Sequence, residues 1–176
     1  MTASATETPA HPINRVAREL VASSGFLLAR LGFGFKAKAI GRFEQAGFEI
    51  YDYSVLAILA EGARETQATI ADVLTLDPSR LVALLDSLED RGLIQRQRDP
   101  HDRRRHVVSI TAVGKRELSR LRALIKQLEE EFFAPLDPAS RDTLQELLLQ
   151  LAAHNDPRCA FDPAGLPSAR NASRDA

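Results

Sequence analysis

Residues 66–111 read TQATIADVLTLDPSRLVALLDSLEDRGLIQRQRDPHDRRRHVVSIT, and the first part of this segment has helical periodicity. Thr66 is a good N-cap and predicts the start of a short helix. Asp77 and Pro78 predict the start of a second helix, because Asp caps helices well and Pro is favoured at the first helical position. Gly92 predicts the end of that helix. Its buried face is predicted to consist of Leu81, Leu84, Leu85 and Leu88.

The second part of the segment has the pattern of a β-hairpin. Residues 93–98 (LIQRQR) and 106–111 (HVVSIT) are rich in strand-forming residues. The loop between them, residues 99–105 (DPHDRRR), consists of turn-forming and charged residues. A pair of helices followed directly by a hairpin is the element order of a winged helix-turn-helix, in which the hairpin is the wing.

Helical periodicity also extends over the flanking segments. Residues 13–45 predict one helix, and residues 51–61 predict a short apolar helix. After Gly114 a long helix is predicted, which Pro135 and Pro138 end before a last helix begins. The apolar faces consist of Ile13, Val16, Leu20, Leu27 and Leu31 in the first helix, Leu118, Leu121, Ile125, Leu128 and Phe132 in the long helix, and Leu144, Leu147, Leu148 and Leu151 in the last helix.

These elements predict a mainly α fold with a small β-hairpin wing, that is, a winged helix-turn-helix with N- and C-terminal dimerisation helices. The winged helix-turn-helix lobe is predicted at 51–111, within a single domain at 13–154. Helices at 13–45 and 115–154 are predicted to pair across a two-fold axis, because little of the domain is left to cover their apolar faces. Residues 1–12 and 155–176 are rich in proline and small residues and are predicted to be disordered tails.

The distribution of charge matters more than its total. The chain has 176 residues and a net charge of -1, which by itself argues against a nucleic-acid binder. Residues 91–105, which we call the arginine patch, contain six arginines and two aspartates and carry +4, so the rest of the chain carries -5. Arginine suits phosphate, and its charge is favoured in a narrow minor groove. The alternative is an ordinary solvated hairpin tip.

In a winged helix-turn-helix, the second helix of the pair enters the major groove and presents its first residues to the bases. The residues predicted to do so are Ser79, Arg80, Val82 and Ala83. Arg80 suits guanine, because one guanidinium can bind O6 and N7 together. Thr66 and Gln67, at the start of the preceding helix, are predicted to bind backbone phosphate. The alternative for Arg80 is a surface ion pair with a neighbouring acid.

Two segments carry a family resemblance. The run Asp99-Pro100-His101-Asp102-Arg103-Arg104, followed by residues 106–111 and Gly114, resembles the wing signature of the MarR transcriptional regulators. Residues 88–94 (LEDRGLI) resemble the segment that joins the recognition helix to the wing in that family. The resemblance extends over about residues 20–150. It implies a homodimer that binds pseudo-palindromic double-stranded DNA, usually to repress a promoter, and that a small, often phenolic or anionic molecule releases.

The resemblance also implies roles for single residues. Arg104 matches the wing-tip arginine that enters the minor groove, and Asp99 and Asp102 match acids that fix the wing. Ala83 and Ser87 stand where the family often has basic or polar residues, so base readout is expected to rest more on Arg80 and on the wing. The remaining predicted DNA contacts of the wing are His101, Arg103 and Arg105.

The effector pocket of the family lies between the first two helices, the long C-terminal helix and the DNA-binding lobe. An aromatic pocket with one cation suits an aromatic acid as ligand. The alternative is that these aromatic residues belong to the ordinary core. The residues expected to bind such a ligand are Phe26, Arg30, Phe33, Tyr51 and Tyr53, with Phe48 in the same region.

Other classes of function have little support in the sequence. One cysteine, Cys159, excludes an internal disulfide and a multi-cysteine zinc site. The four histidines have no metal-ligand spacing and no nucleophile motif occurs, so we expect no metal, no cofactor and no enzymatic activity. Without an apolar signal segment or a membrane-spanning run, we expect a cytoplasmic protein. The remaining alternative is a winged-helix dimer that acts as a protein-interaction module without specific DNA readout.

Overall fold

The computed structural model of the chain describes residues 15–61, 65–98 and 106–160. These residues divide into two compact units between Ala37 and Lys38. The elements are mainly helices with a small antiparallel sheet, which confirms the predicted fold class. Over the described ranges, no helix combines the length and the apolar character that crossing a membrane requires. The single domain at 13–154 stays a prediction, and residues 1–12 lie outside the described ranges.

The first unit contains helix α1 (Arg18–Val21) and the beginning of helix α2 (Ser24–Gln45). The sequence predicts one helix over residues 13–45. This prediction is wrong at residues 15–17, which are not helical, and at Ala22 and Ser23, where the structure interrupts the helix. The Oγ atom of Ser23 accepts a hydrogen bond from the Phe26 N–H at 3.3 Å. Such a bond competes with the helical hydrogen bonds and caps a new helix instead.

The second unit contains the remaining elements. Its helices after α2 are α3 (Ile50–Ala60), α4 (Gln67–Leu74), α5 (Pro78–Asp90), α6 (Ala112–Phe132) and α7 (Pro138–Asn155). Its strands are β1 (Glu65–Thr66), β2 (Ile94–Arg98) and β3 (His106–Ile110). Helices α4 and α5 form the helix-turn-helix, and β2 and β3 form the predicted wing hairpin.

Four helices of this unit begin at a side-chain cap. Thr66 accepts the Thr69 N–H at 3.2 Å and Asp77 accepts the Ser79 N–H at 2.8 Å, which confirms both predicted helix starts. The same capping occurs at Thr111 before α6 and at Asp137 before α7. The predicted break between the long helix and the last helix is confirmed, since α6 ends at Phe132 and Pro138 is the first residue of α7 behind an Asp cap.

The sheet has three strands, one more than the predicted hairpin. Their order is β1-β3-β2, and both pairings are antiparallel. Glu65 pairs with Val108 and Thr66 with Val107, so Thr66 both ends β1 and caps α4. A strand of two residues has no alternation that a sequence pattern could detect, which is why it was not predicted.

Helix α5 packs through the predicted leucine face. Each of its four leucines is at most 9% exposed, and two of them are completely buried. The burial of each such side chain stabilises the fold by about 1.5–3 kcal/mol. Val55, Leu56, Ile70 and Val108 are also buried in this unit. The predicted buried face, which consists of Leu81, Leu84, Leu85 and Leu88, is confirmed.

The last helices differ in how much of their apolar face is covered within the unit. In α6, Leu118, Leu121 and Leu128 of the predicted seam are buried. In α7, Leu147 and Leu151 are more than half exposed. The seam of α6 therefore packs inside the unit, whereas the apolar face of α7 stays open to solvent in the single chain.

The first residues of the predicted C-terminal tail are ordered in the structure. Helix α7 continues to Asn155, and a 3₁₀ turn follows at Pro157–Cys159. Arg158 anchors this turn, because its guanidinium donates to the Asp72 carbonyl oxygen at 2.8 Å and pairs with Asp156 at 2.8 Å. The start of the tail at residue 155 is therefore wrong, and residues 161–176 lie outside the described ranges.

Gly114 tests the packing between α6 and the sheet. A Cβ atom at this position would overlap the Leu93 carbonyl oxygen and lie 2.8 Å from Ile110 Cγ1. We therefore expect Gly114→Ala to lower the free energy of unfolding by about 1–3 kcal/mol, measured by urea denaturation. The control is Gly41→Ala, since Gly41 lies inside α2 with open space around it and alanine there improves helix propensity. Equal stabilities of the two variants would contradict the packing described.

Candidate nucleic-acid interface

The buried leucines fix which face of α5 is exposed. Ser79, Arg80 and Ala83 are exposed, and Val82 is 42% exposed. These are the four residues predicted to meet the bases, and all lie within the first two turns of the helix. The structure thus brings the predicted readout residues together on one end of one helix, outside the core.

The N-cap of α5 uses both hydrogen-bond donors of Ser79. The Asp77 carboxylate accepts hydrogen bonds from both the hydroxyl and the N–H of Ser79, and these bonds lower the pKa of Asp77. Because the hydroxyl proton already points to Asp77, the Ser79 oxygen is left mainly as an acceptor. Ser79 is therefore better suited to accept a hydrogen bond from a donor group of a base than to bind a phosphate, because a phosphate has no proton to donate.

Arg80 lies against an aromatic ring. Its guanidinium carbon is 4.8 Å from the ring centroid of Tyr51, near the beginning of α3. Within the part of the chain that the structure describes, no carboxylate pairs with Arg80. The surface ion pair that was the alternative for Arg80 does not occur there.

Thr66 and Gln67 lie at the beginning of α4, as predicted. Both are half-buried. The Oγ1 atom of Thr66 already accepts the Thr69 N–H and lies 2.8 Å from the Thr69 hydroxyl oxygen. Gln67 is the first residue of the helix, where the backbone N–H groups have no helical acceptor.

Arg96 of the arginine patch holds the wing against α5. Its guanidinium lies 2.6 Å from Asp86 and 2.6 Å from Glu89. Its backbone N–H donates to the other oxygen of Glu89 at 2.8 Å. These bonds join β2 to α5, and they raise the pKa of Arg96 further, chiefly through the hydrogen bond to Glu89.

Arg91 is also used inside the protein. It pairs with the buried Asp52 at 3.2 Å, donates to the Gly47 carbonyl oxygen at 3.1 Å, and lies 4.1 Å from the Phe48 ring centroid. We interpreted the six arginines of the arginine patch as one surface that binds a polyanion. This interpretation is wrong for Arg91 and Arg96, because both pair with carboxylates of the protein itself.

Most of the predicted wing residues lie outside the described ranges. Arg98, the last residue of β2, is exposed at the edge of that gap. Nothing structural is stated for the predicted contacts His101, Arg103, Arg104 and Arg105 or for the predicted wing-fixing acids Asp99 and Asp102.

The residues predicted to bind an effector are divided between the two units. In the first unit, Phe26, Arg30 and Phe33 line a hollow of about 560 Å³ on α2. In the second unit, Tyr51 lines a cleft of about 480 Å³ between the start of α3 and α5, which Arg80 also borders. Neither of these two cavities contains all five predicted residues.

Phe48 follows the alternative, in which it is a core residue, and Tyr53 is half-buried. The Tyr53 ring stacks on Phe43 with centroids 5.6 Å apart, and burial raises the pKa of its hydroxyl. Phe48 is 6% exposed. In the described residues, no three His, Cys, Asp or Glu side chains are grouped as a metal site would need.

Comparisons with known proteins agree with this arrangement. A sequence model described as the MarR family matches residues 50–106, from the start of α3 to the beginning of β3. A protein of Thauera aromatica, described as a transcriptional regulatory protein for the hcr operon, is 31% identical over 148 residues, which cover 80% of this chain and 88% of that protein.

Solved structures are similar as well. The transcriptional repressor CouR bound to a 23-mer DNA duplex is 30% identical with a TM-score of 0.68, and the match covers 77% of this chain and 96% of that chain. CouR from Rhodococcus jostii RHA1 bound to p-coumaroyl-CoA is 28% identical with a TM-score of 0.65, over 83% of this chain and 99% of that chain. With the extent of these matches and the helix-turn-helix and wing described above, the chain belongs to the MarR family of transcriptional regulators.

Proposed function

We propose that this regulator is a homodimeric repressor that binds a pseudo-palindromic operator and is released by a small aromatic ligand. The observation that carries the proposal is the exposed N-terminal end of α5, where Arg80 lies next to Val82 and Ala83 outside the core. In this proposal α5 enters the major groove, and Arg80 binds guanine O6 and N7.

The wing completes the interface in this proposal. Arg104 enters the minor groove, where the negative potential favours arginine, while His101, Arg103 and Arg105 bind phosphates beside it. Asp99 and Asp102 hold the loop in shape. The exposed Arg98 supports the proposal, because it extends the positive charge along β2 toward that loop.

The dimer is proposed from apolar faces that the single chain leaves exposed. In the first unit, Leu28 and Leu31 are 55% exposed and Phe33 is 76% exposed. In the second unit, Leu147 and Leu151 of α7 are similarly exposed. A monomeric protein rarely leaves such side chains in water together, and a two-fold partner would cover them.

The effector is proposed to be an aromatic acid or a thioester of one. The hollow of Phe26 and Phe33 offers two rings, and Arg30 offers a cation for the carboxylate of a free acid or for a phosphate of a CoA thioester. The similarity to CouR, which was solved with p-coumaroyl-CoA, supports this class of ligand. Release follows if the ligand binds better to a conformation in which the two recognition helices no longer match the operator.

DNA binding is tested with an operator duplex selected from a random pool by the wild-type protein. We expect the affinity to fall steeply with salt, because bound phosphates release counterions. Arg104→Ala should weaken binding to all sequences and flatten the salt dependence. Arg80→Ala should cost about 1–3 kcal/mol at particular base pairs, measured by fluorescence anisotropy on substituted duplexes.

The control for both variants is Lys126→Ala, which removes an exposed cation of α6 outside the proposed interface. It should bind like the wild type. Binding that does not depend on salt, or a failure to select any DNA, would contradict the proposal and favour the protein-interaction module.

The dimer is tested by sedimentation equilibrium of Leu31→Glu. A carboxylate on the proposed interface should shift the dimer toward monomer, because burying it without a partner is costly. The control is Val73→Glu on α4, where Val73 is 43% exposed and lies outside the proposed contact. A wild-type protein that sediments as a monomer at all concentrations would disprove the dimer.

The effector is tested with hydroxycinnamic acids and their CoA thioesters. A ligand of the folded protein should raise Tm and release the operator, and Arg30→Ala should abolish both effects. Arg18→Ala, an exposed arginine on α1, is the control that should respond like the wild type. If none of these compounds changes Tm, the proposed ligand class is wrong. If Arg30→Ala responds normally, the proposed site on α2 is wrong.

A further inference from the structure

Among the residues that the structure describes, the guanidinium of Arg80 contacts the aromatic face of Tyr51. A carboxylate partner would occupy the N–H donors of an arginine, whereas an aromatic face attracts the cation through its π electrons. The five N–H donors in the plane of the guanidinium therefore stay available. This is the arrangement that a bidentate contact with guanine needs, since both bonds come from the edge of the plane.

The backbone that carries the ring is held in place through the next residue of the chain. Asp52 is 3% exposed, and one oxygen of its carboxylate accepts both the Glu49 N–H at 2.9 Å and an N–H of Arg91 at 3.2 Å. Because Arg91 follows the last residue of α5, this ion pair joins the first turn of α3 to the recognition helix. The backbone of α3 at Tyr51 is therefore fixed relative to α5 by a contact that Arg80 does not take part in.

We infer that Tyr51 is a positioning residue for base readout by Arg80, an inference that rests on the function proposed above. The ring restricts the rotamers of an exposed arginine before DNA arrives, and so lowers the conformational entropy that is lost when Arg80 binds its base. The sequence placed Tyr51 among the ligand contacts and Arg80 among the DNA contacts. In the structure the side chains of these two residues contact each other.

The test is made at the operator position where Arg80→Ala loses the base preference of the wild type. At that position we measure how strongly each variant prefers one base pair over the others. An exposed cation–π contact of ordinary strength corresponds to a two- to five-fold effect, so Tyr51→Leu should reduce the preference at that base pair by about that factor. Tyr51→Phe should keep the preference, because the ring remains. In the Arg80→Ala background, Tyr51→Leu should change the preference no further.

A structural control comes from another aromatic ring of α3. Tyr53 stacks on Phe43 with ring centroids 5.6 Å apart. Tyr53→Leu removes that ring and should lower stability without changing the base preference, because its stacking partner lies on α2 and not on α5. Thermal unfolding shows which variants are folded, and Tyr51→Met is the second non-aromatic variant if Tyr51→Leu fails to fold.

The outcomes distinguish base readout by Arg80 from the positioning role of Tyr51. If Arg80→Ala changes no base preference, the proposed readout is wrong and the role of Tyr51 is disproved with it. If Arg80→Ala relaxes one base pair and Tyr51→Leu leaves that preference intact, only the role of Tyr51 is disproved. An equal loss of affinity for every sequence in Tyr51→Leu would also overturn the inference, because that result indicates a structural role alone.

Discussion

The burial of four leucines on α5 is the constraint on which the proposed interface depends. A helix with Leu81, Leu84, Leu85 and Leu88 in the core has one rotational setting, since turning it by one residue would bring leucines into water. With about 1.5–3 kcal/mol at stake for each leucine, the core holds that setting firmly. The exposed position of Arg80 and Ala83 is therefore a consequence of packing, although neither residue contributes to the core.

The position of the wing follows from charges on the same helix. Arg96 of β2 bonds to Glu89 through its guanidinium and its backbone N–H, and to Asp86 through its guanidinium. Such partly exposed pairs add little stability, but several directed bonds restrict geometry. Strand β1 joins the other edge of β3 and ends in the cap of α4. The helix-turn-helix and the wing are thus linked at two places, and the charges that bind DNA in our proposal are additional to the charges that hold this lobe together.

The sequence predicted the parts of this lobe that local rules control. The caps at Thr66 and Asp77 and the leucine face of α5 depend on spacing of a few residues, and all were predicted correctly. The Asp-Pro pair at 137–138 has the same signature as Asp77-Pro78, but its proline was interpreted only as a helix end. A pairing signal was absent for β1, because two residues show no periodicity.

The errors in the site have a different cause. Whether Arg91 and Arg96 bind DNA or the protein depends on partners that the fold brings close, and Asp52 is 39 residues from Arg91 along the chain. A count of the charges in residues 91–105 does not include these partners. The contact of Tyr51 with Arg80 was missed for the same reason, since it joins two helices that the sequence assigned to different sites.

A combined footprint of the bound operator tests the central claim most directly. Dimethyl sulfate reports guanine N7 in the major groove, and hydroxyl radicals report the sugar edge in the minor groove. We expect two protected guanine clusters related by two-fold symmetry and spaced by about one helical turn or a multiple of it, about 10 base pairs per turn, with protected minor-groove segments beside them. A single asymmetric footprint, or protection of the minor groove without any protected guanine N7, would contradict a dimer that reads DNA through α5 and the wing.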